Sequence, residues 1–197
     1  PSAFPTQLIQ AAAAMAFVRK NAGQFLVDPN KVAVMGFSAG GHLAASIGTL
    51  FDDPAIEQMI GVTPPQCRPD AMVLCYPVIT AGEKAHAGSI SNLMGGRQDA
   101  MLLQKISLEK SVTRQTSPAF IWHTCADSSV PVENALCFAS ALKQKGVPFE
   151  LHIFENGPHG LSLATAQTQK EGRPDHLQPA VAGWAKMAAV WLKERLT

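Results

Sequence analysis

The chain has 197 residues, of which 47% are hydrophobic and 16% are charged, and its formal net charge is +1. This length fits one domain with a sizeable core, and the composition excludes a disordered chain. The charge gives no reason to expect nucleic acid or an anionic membrane as a partner. No apolar run approaches the length of a membrane span, so no membrane partner is predicted.

The cysteines and histidines show no spacing typical of a metal site, so we predict neither a metal nor a cofactor. Cys75 and Cys125 lie in apolar, strand-like runs, where we expect buried free thiols. Free cysteines favour a cytoplasmic protein. Pro1 is not a natural initiator, and no signal segment precedes the first predicted helix. We therefore expect a chain whose beginning lies outside this sequence.

Hydrophobic periodicity predicts strands that alternate with helices. In chain order these are a helix at 7–21, a strand at 31–37, a helix at 39–50, strands at 71–76 and 119–124, a helix at 132–145, a strand at 149–154 and a helix at 181–196. Continuous apolar strands between helices are typical of a parallel sheet covered on both faces, so the fold class is α/β. Residues 80–117 interrupt the alternation and contain a predicted mixed polar helix around 100–110. We interpret them as an insertion that lies over the site as a lid or partial cap.

One stretch, KVAVMGFSAGGHLAAS from Lys31 to Ser46, carries the clearest functional pattern. It reads as strand, sharp turn and helix, with Ser38 at the apex of a G-x-S-x-G nucleophile elbow. We expect side chains at Gly36 and Gly40 to crowd the strand and the helix, so glycine is required at both. The turn puts the Ser38 hydroxyl at a helix N-terminus, where developing negative charge is favoured.

A serine nucleophile needs a histidine base, and that base needs an orienting carboxylate. In folds with this elbow the serine comes first along the chain, the Asp or Glu second and the His third. Asp127 is the leading acid because it follows the strand at 119–124 directly, and Glu133 is a weaker alternative. His159 is the leading base because it lies in a glycine-flanked loop after the strand at 149–154.

A structural role is the alternative to a catalytic one for several acidic residues and histidines. For Asp127, that alternative is the N-cap of the following helix. We interpret Asp52 and Asp53 as solvated helix-end charges, and we expect the carboxylates of Asp70 and Asp99 to point away from the site. His123 and His152 are predicted to be strand residues, His42 a structural histidine, and His86 and His176 surface histidines.

The predicted oxyanion hole has one donor in this chain, the backbone N–H of Ala39. A second donor normally comes from a glycine-rich loop upstream of the elbow, and this sequence contains no such loop before Ser38. Loss of one oxyanion donor costs about 10²–10³ in turnover.

These motifs resemble the α/β-hydrolase superfamily and, more narrowly, bacterial acetyl-esterases and acetyl-xylan-esterases of the BD-FAE type. The resemblance rests on VAVMGFSAGGHLAAS, on LCYPVIT, and on the text from AFIWHTCADSSVPVEN to ENGPHGL, and it covers the chain from about residue 7 onward. It implies Ser38 as nucleophile, Asp127 as acid and His159 as base. Members of the family begin with several further strands, so residues 1–197 are expected to form the C-terminal part of a single α/β-hydrolase domain.

The leading hypothesis is a serine ester hydrolase that acts through an acyl-enzyme, and the resemblance implies short acyl groups such as acetate on a carbohydrate. A small-molecule ester is then the expected partner. A second hypothesis is a serine peptidase of the prolyl-oligopeptidase type, which shares the elbow and the order of the three residues. A third is a non-catalytic hydrolase-like module, favoured by the absence of the upstream oxyanion loop.

Overall fold

A parallel four-stranded sheet forms the centre of residues 3–197, the part of the chain that this computed structural model describes. The strands are β1 (Ala33–Phe37), β2 (Ala71–Cys75), β3 (Ala119–Thr124) and β4 (Phe149–Phe154), and they lie in this order across the sheet. Their carboxyl ends are aligned, since Phe37 pairs with Cys75, Cys75 with Trp122, and Thr124 with Phe154. The turns that follow the strands therefore meet at one edge of the sheet.

Helices connect and cover the strands. They are α1 (Thr6–Lys20), α2 (Ala22–Phe25), α3 (Ala39–Thr49), α4 (Pro54–Ile60), α5 (Pro64–Cys67), α6 (Ala87–Met94), α7 (Ala100–Ile106), α8 (Glu133–Lys145) and α9 (Trp184–Arg195), with 3₁₀ turns at Leu108–Lys110 and Pro174–His176. Parallel crossovers are right-handed, so strands added in sequence keep their connecting helices on one face of the sheet. The last helix, α9, returns to cover the opposite face.

The two faces of the sheet bury different kinds of side chain, because successive strand residues point to opposite faces. We call the side of α1, α3 and α8 the aliphatic face; its buried residues include Leu8, Ile47, Leu74, Ile121 and Leu142. We call the side of α9 the aromatic face; its buried residues include Tyr76, Phe120, Trp122, Trp184 and Trp191.

The predicted α/β class and every predicted strand and helix are present, with ends that differ by at most four residues. The predicted helix at 181–196, for example, begins at Trp184. The short helices α2, α4 and α5 and the helix α6 within 80–117 were not predicted. They are too short for a clear 3.6-residue period, and α4, α5 and α6 begin at local caps instead. Asp53 caps α4, and His86 caps α6.

Three expectations about whether a side chain is buried or exposed were wrong. Asp53 is buried, not solvated: its carboxylate accepts the Ala55 N–H at 3.0 Å and lies 2.5 Å from the Lys105 ammonium. Cys125 is exposed, because it comes one residue after β3 ends. His176 is buried, because the segment between β4 and α9, in which it lies, folds onto the aromatic face.

Candidate active site

The turn between β1 and α3 holds Ser38 in an unusual backbone conformation. Its φ is +55° and its ψ is −121°, which an L-residue adopts only under constraint from its surroundings. Two backbone hydrogen bonds, one with the last residue of β2 and one with the segment that follows it, supply that constraint. Ser38 N–H donates to the Cys75 carbonyl at 3.0 Å, and the Val78 N–H donates to the Ser38 carbonyl at 3.1 Å. The serine is therefore fixed at the carboxyl edge of the sheet.

Close packing requires glycine at one of the two predicted elbow positions and not at the other. A Cβ on Gly36 would lie 2.1 Å from the Gly40 carbonyl oxygen, so no side chain fits there. A Cβ on Gly40 meets no heavy atom within 4 Å, which corrects the expectation that a side chain there would crowd the turn. The second tight position is Gly41, where a Cβ would lie 2.7 Å from the Pro77 Cβ.

The structure brings Ser38, His159 and Asp127 together in a single hydrogen-bonded chain. The Ser38 Oγ lies 2.7 Å from the His159 Nε2, and the His159 Nδ1 lies 2.6 Å from the Asp127 Oδ2. A carboxylate accepts, so the Nδ1 carries the proton and leaves the Nε2 free to accept from the serine hydroxyl. The sequence separation between Ser38 and His159 is 121 residues. This is the arrangement that a nucleophile and its base require.

The Asp127 carboxylate is enclosed and fully bonded. Its side chain has no exposed surface, and its Oδ1 accepts the Ser129 and Val130 amides, both at 2.9 Å. Burial favours a raised pKa, but the hydrogen bonds from His159, Val130 and Ser129 and the positive charge that His159 can carry outweigh it. The pKa of Asp127 is therefore held below its ordinary value, and the group is an anion.

The other candidates have different partners. Glu133 is exposed on the first turn of α8. Asp70 pairs with Arg19 at 3.0 Å, and Asp99 caps α7. His42 is buried, and its Nε2 donates to the Ile106 carbonyl at 2.8 Å; burial lowers its pKa. None of these four side chains takes the position of Asp127 or His159.

Asn134 is a buried residue near the site that the sequence reading missed. Its Oδ1 accepts the Ile79 and Thr80 amides at 2.9 and 3.0 Å, and its Nδ2 donates to the Lys84 and Pro131 carbonyls, both at 2.9 Å. It thus ties the loop that carries Asp127 to the start of the insertion at 80–117. The signal available in the sequence was that Asn134, a polar residue, lies next to the apolar positions of the predicted helix at 132–145.

A cavity of about 310 Å³ opens beside the elbow. One wall is the start of α3, including Ala39 and Gly40, and the other includes Ser89, Asn92 and Leu93 from α6. Ala39 begins an eleven-residue helix, whose first amides have no partner within the helix. The cavity therefore lies between the Ala39 N–H, the predicted donor to the oxyanion, and the insertion at 80–117.

Two other kinds of site are absent from residues 3–197. No cluster of three or more His, Cys, Asp or Glu side chains there is arranged to hold a metal ion. Within the same residues, no helix has both the length and the hydrophobicity of a membrane span.

Comparison with known proteins identifies the family. The BD-FAE family model matches residues 1–142. Endo-1,4-beta-xylanase B of Butyrivibrio fibrisolvens is 44% identical over 156 residues, which are 77% of this chain and 24% of that protein. The acetylxylan esterase of Xylanibacter ruminicola is 35% identical over 153 residues, which are 75% of this chain and 29% of that protein. The chain thus spans about a quarter of the length of these relatives.

Solved structures agree with the family match. The acetyl ester-xyloside bifunctional hydrolase of Caldicellulosiruptor lactoaceticus superposes with a TM-score of 0.84 at 44% identity, covering 98% of this chain and 67% of that one. The carboxylesterase Cest-2923 of Lactobacillus plantarum superposes with a TM-score of 0.86 at 31% identity, covering 100% of this chain and 71% of that one. The fold is that of an α/β hydrolase, as predicted, and the chain belongs to the BD-FAE family of α/β-hydrolase esterases.

Proposed function

We propose that this protein is a serine carboxylic-ester hydrolase in which Ser38 is the nucleophile, His159 the base and Asp127 the orienting acid. The observation that carries the proposal is the hydrogen-bonded chain of 2.7 and 2.6 Å that links the three side chains. Membership of an esterase family supports it. The hypothesis of a non-catalytic module has no comparable support, because such a module does not need an aligned serine, imidazole and buried carboxylate.

The first half of the reaction forms an acyl-enzyme. The His159 Nε2 takes the proton of the Ser38 hydroxyl while the Oγ attacks the ester carbonyl carbon. The carbonyl oxygen becomes an oxyanion, and the Ala39 N–H at the start of α3 donates to it. Asp127 stabilises the imidazolium through the Nδ1–H. When the tetrahedral intermediate collapses, the bond to the alcohol oxygen breaks and His159 gives its proton to that oxygen.

The second half releases the acid. A water molecule replaces the alcohol, His159 takes one of its protons, and the resulting hydroxide attacks the acyl carbon. The bond to the Ser38 Oγ breaks, and His159 returns the proton to the serine. No external cofactor or redox partner enters either half, and the products are one acid and one alcohol.

We infer short acyl esters of carbohydrates, acetate above all, as substrates. The relatives named an acetylxylan esterase and an acetyl ester-xyloside hydrolase support this class. The cavity beside Ala39 offers the polar side chains of Ser89 and Asn92 near the elbow, which suit a hydroxylated alcohol. Residues 80–117 then act as a partial cap of a single domain, because α6 forms one wall of this cavity.

The test combines active-site labelling with turnover of p-nitrophenyl acetate. The Ser38→Ala protein is expected to lose fluorophosphonate labelling and to lose turnover by about 10⁶-fold, because Ser38 supplies the hydroxyl that lies 2.7 Å from the His159 Nε2. The matched control, Ser140→Ala, removes an exposed hydroxyl on α8 and is expected to leave both unchanged. Full turnover by Ser38→Ala would refute the proposal.

Substrate class needs a separate assay on the same protein. The assay measures three rates: release of acetate from acetylated xylo-oligosaccharides, cleavage of a prolyl peptide, and cleavage of a long-chain p-nitrophenyl ester. Their comparison distinguishes the esterase from the peptidase hypothesis. We expect acetate release to be fastest. Preference for the peptide would favour the prolyl-oligopeptidase type instead.

A further inference from the structure

Tyr76, the first residue after β2, has no part in the reaction steps above, yet it is held under constraint beside the site. It is the single tyrosine of the chain, it is buried, and its φ is +38°. A bulky L-residue with positive φ is strained, and such strain persists only where the surrounding structure over-determines it. Strained residues of this kind cluster at functional sites.

The ring of Tyr76 packs against the imidazole of His159. The two ring centroids are 5.0 Å apart with an interplanar angle of 75°, an edge-to-face contact. On its other sides the Tyr76 ring contacts Trp122 at 4.9 Å and Phe37 at 5.9 Å. The Tyr76 ring thus lies between the imidazole and the packed rings of the aromatic face.

The hydroxyl of Tyr76 holds the loop that carries His159. The Ser162 N–H, three residues after His159, donates to the Tyr76 Oη at 3.1 Å. The carbonyl of Ser162 accepts the Trp184 Nε1–H at 2.9 Å, so both backbone polar groups of this residue are tied to aromatic side chains. Ser162 itself has a φ of +53°. The loop therefore has two polar anchors on the aromatic face.

The backbone around Tyr76 also fixes the serine. The carbonyl of Cys75 accepts the Ser38 N–H, and the Val78 N–H donates to the Ser38 carbonyl, so the residues on both sides of Tyr76–Pro77 bond the elbow. The Tyr76 N–H donates to the Trp122 carbonyl at 2.7 Å. One short segment thus contacts both ends of the 2.7 Å bond between Ser38 and His159.

We propose that Tyr76 is a positioning residue, whose ring and hydroxyl hold the His159 imidazole in line between Ser38 and Asp127. The kinetic consequence rests on the proposed function, whereas the orientation of the imidazole does not. A tyrosine that served only the core would affect stability alone. A positioning tyrosine affects the rate after binding and the hydrogen bond between His159 and Asp127.

The test compares Tyr76→Phe, which keeps the ring and loses the hydroxyl, with Ser117→Ala. Ser117 is fully buried, and its hydroxyl donates to the Pro69 carbonyl at 2.6 Å at the opposite end of the strands, so this control also loses one buried hydrogen bond. For Tyr76→Phe we expect kcat to fall about tenfold with KM within about twofold, since small misplacement of a catalytic group lowers the rate after binding. The control is expected to keep the wild-type kcat.

A second measurement does not depend on turnover. In proton NMR, the His159 Nδ1–H bonded to Asp127 is expected as a low-field resonance in the wild type, broadened by faster exchange in Tyr76→Phe and unchanged in Ser117→Ala. Wild-type kcat and an unbroadened resonance in Tyr76→Phe would overturn the proposal. Failure of Tyr76→Phe to fold would also overturn it, since the hydroxyl would then serve the fold. A wild type that hydrolyses no ester refutes the proposed function instead, and the resonance still decides the role of Tyr76.

Discussion

The aliphatic and aromatic faces of the sheet hold the site residues by different means. On the aliphatic face, backbone groups do the positioning: Ser38 is fixed at the start of α3, and two amides in the loop before α8 bind Asp127. On the aromatic face, side chains do it, because His159 lies in a loop with no helix beginning beside it. The positions of Ser38 and Asp127 thus depend on local backbone geometry. The position of His159 depends on the polar groups of aromatic side chains that are distant in sequence.

The largest effect is expected at the junction of the two faces, where Asp127 meets His159. Asp127→Asn should lower kcat by about 10⁴-fold, because the amide favours the wrong tautomer of His159 while the geometry is kept. Glu133→Gln is the matched control, since Glu133 is exposed and is the alternative acid. Steady-state kinetics on p-nitrophenyl acetate measures both. If Glu133→Gln proved the damaging change, the assignment of Asp127 would be wrong.

A smaller but still large effect is expected from the backbone of the aliphatic face. Gly36→Ala sets a Cβ 2.1 Å from the Gly40 carbonyl oxygen, and that oxygen belongs to the backbone, which cannot rotate away. We expect a stability loss of about 1–3 kcal/mol and a fall in kcat/KM of about 10²-fold. Gly40→Ala is the control, since its Cβ has open space, and it should be neutral or slightly stabilising. Denaturant unfolding and kinetics give both values, and equal behaviour of the two variants would contradict this packing.

The smallest effect concerns pH, and it too belongs to the aliphatic face. His42 and His123 are buried, and desolvation lowers the pKa of each below 6.5. These imidazoles are neutral in the folded state and bind a proton in the unfolded state. The free energy of unfolding therefore decreases as pH falls below 6.5. We expect each to cost about 1 kcal/mol of stability per pH unit there.

Chemical denaturation at pH 7.5, 6.5 and 5.5 measures this loss. His42→Gln should make the dependence shallower, since only the contribution of His123 then remains of the two, whereas His86→Asn, at the half-exposed cap of α6, should leave it unchanged. Stability that is constant from pH 7.5 to 5.5 in the wild type would contradict the burial of neutral imidazoles.

The features that could be predicted from the sequence are the local ones. The β1–turn–α3 unit and the strand before Asp127 are local, so apolar runs, glycines and chain order were sufficient to predict them. The contact of Tyr76 with His159 joins residues 83 positions apart. No local pattern encodes such a contact, and the only signal was the unexplained tyrosine in LCYPVIT. The burial of His176 and Asp53 was missed for the same reason, since folding of distant segments covers them.

The sequence by itself determined the α/β class, the elbow and the order of Ser38, Asp127 and His159, because periodicity and turn chemistry act over a few residues. Only the tertiary structure decided that these three side chains meet at 2.7 and 2.6 Å, that Gly36 and not Gly40 is sterically required, and that aromatic residues hold the histidine loop. Those outcomes depend on how the two faces pack on the sheet, and packing couples residues that are far apart in the chain.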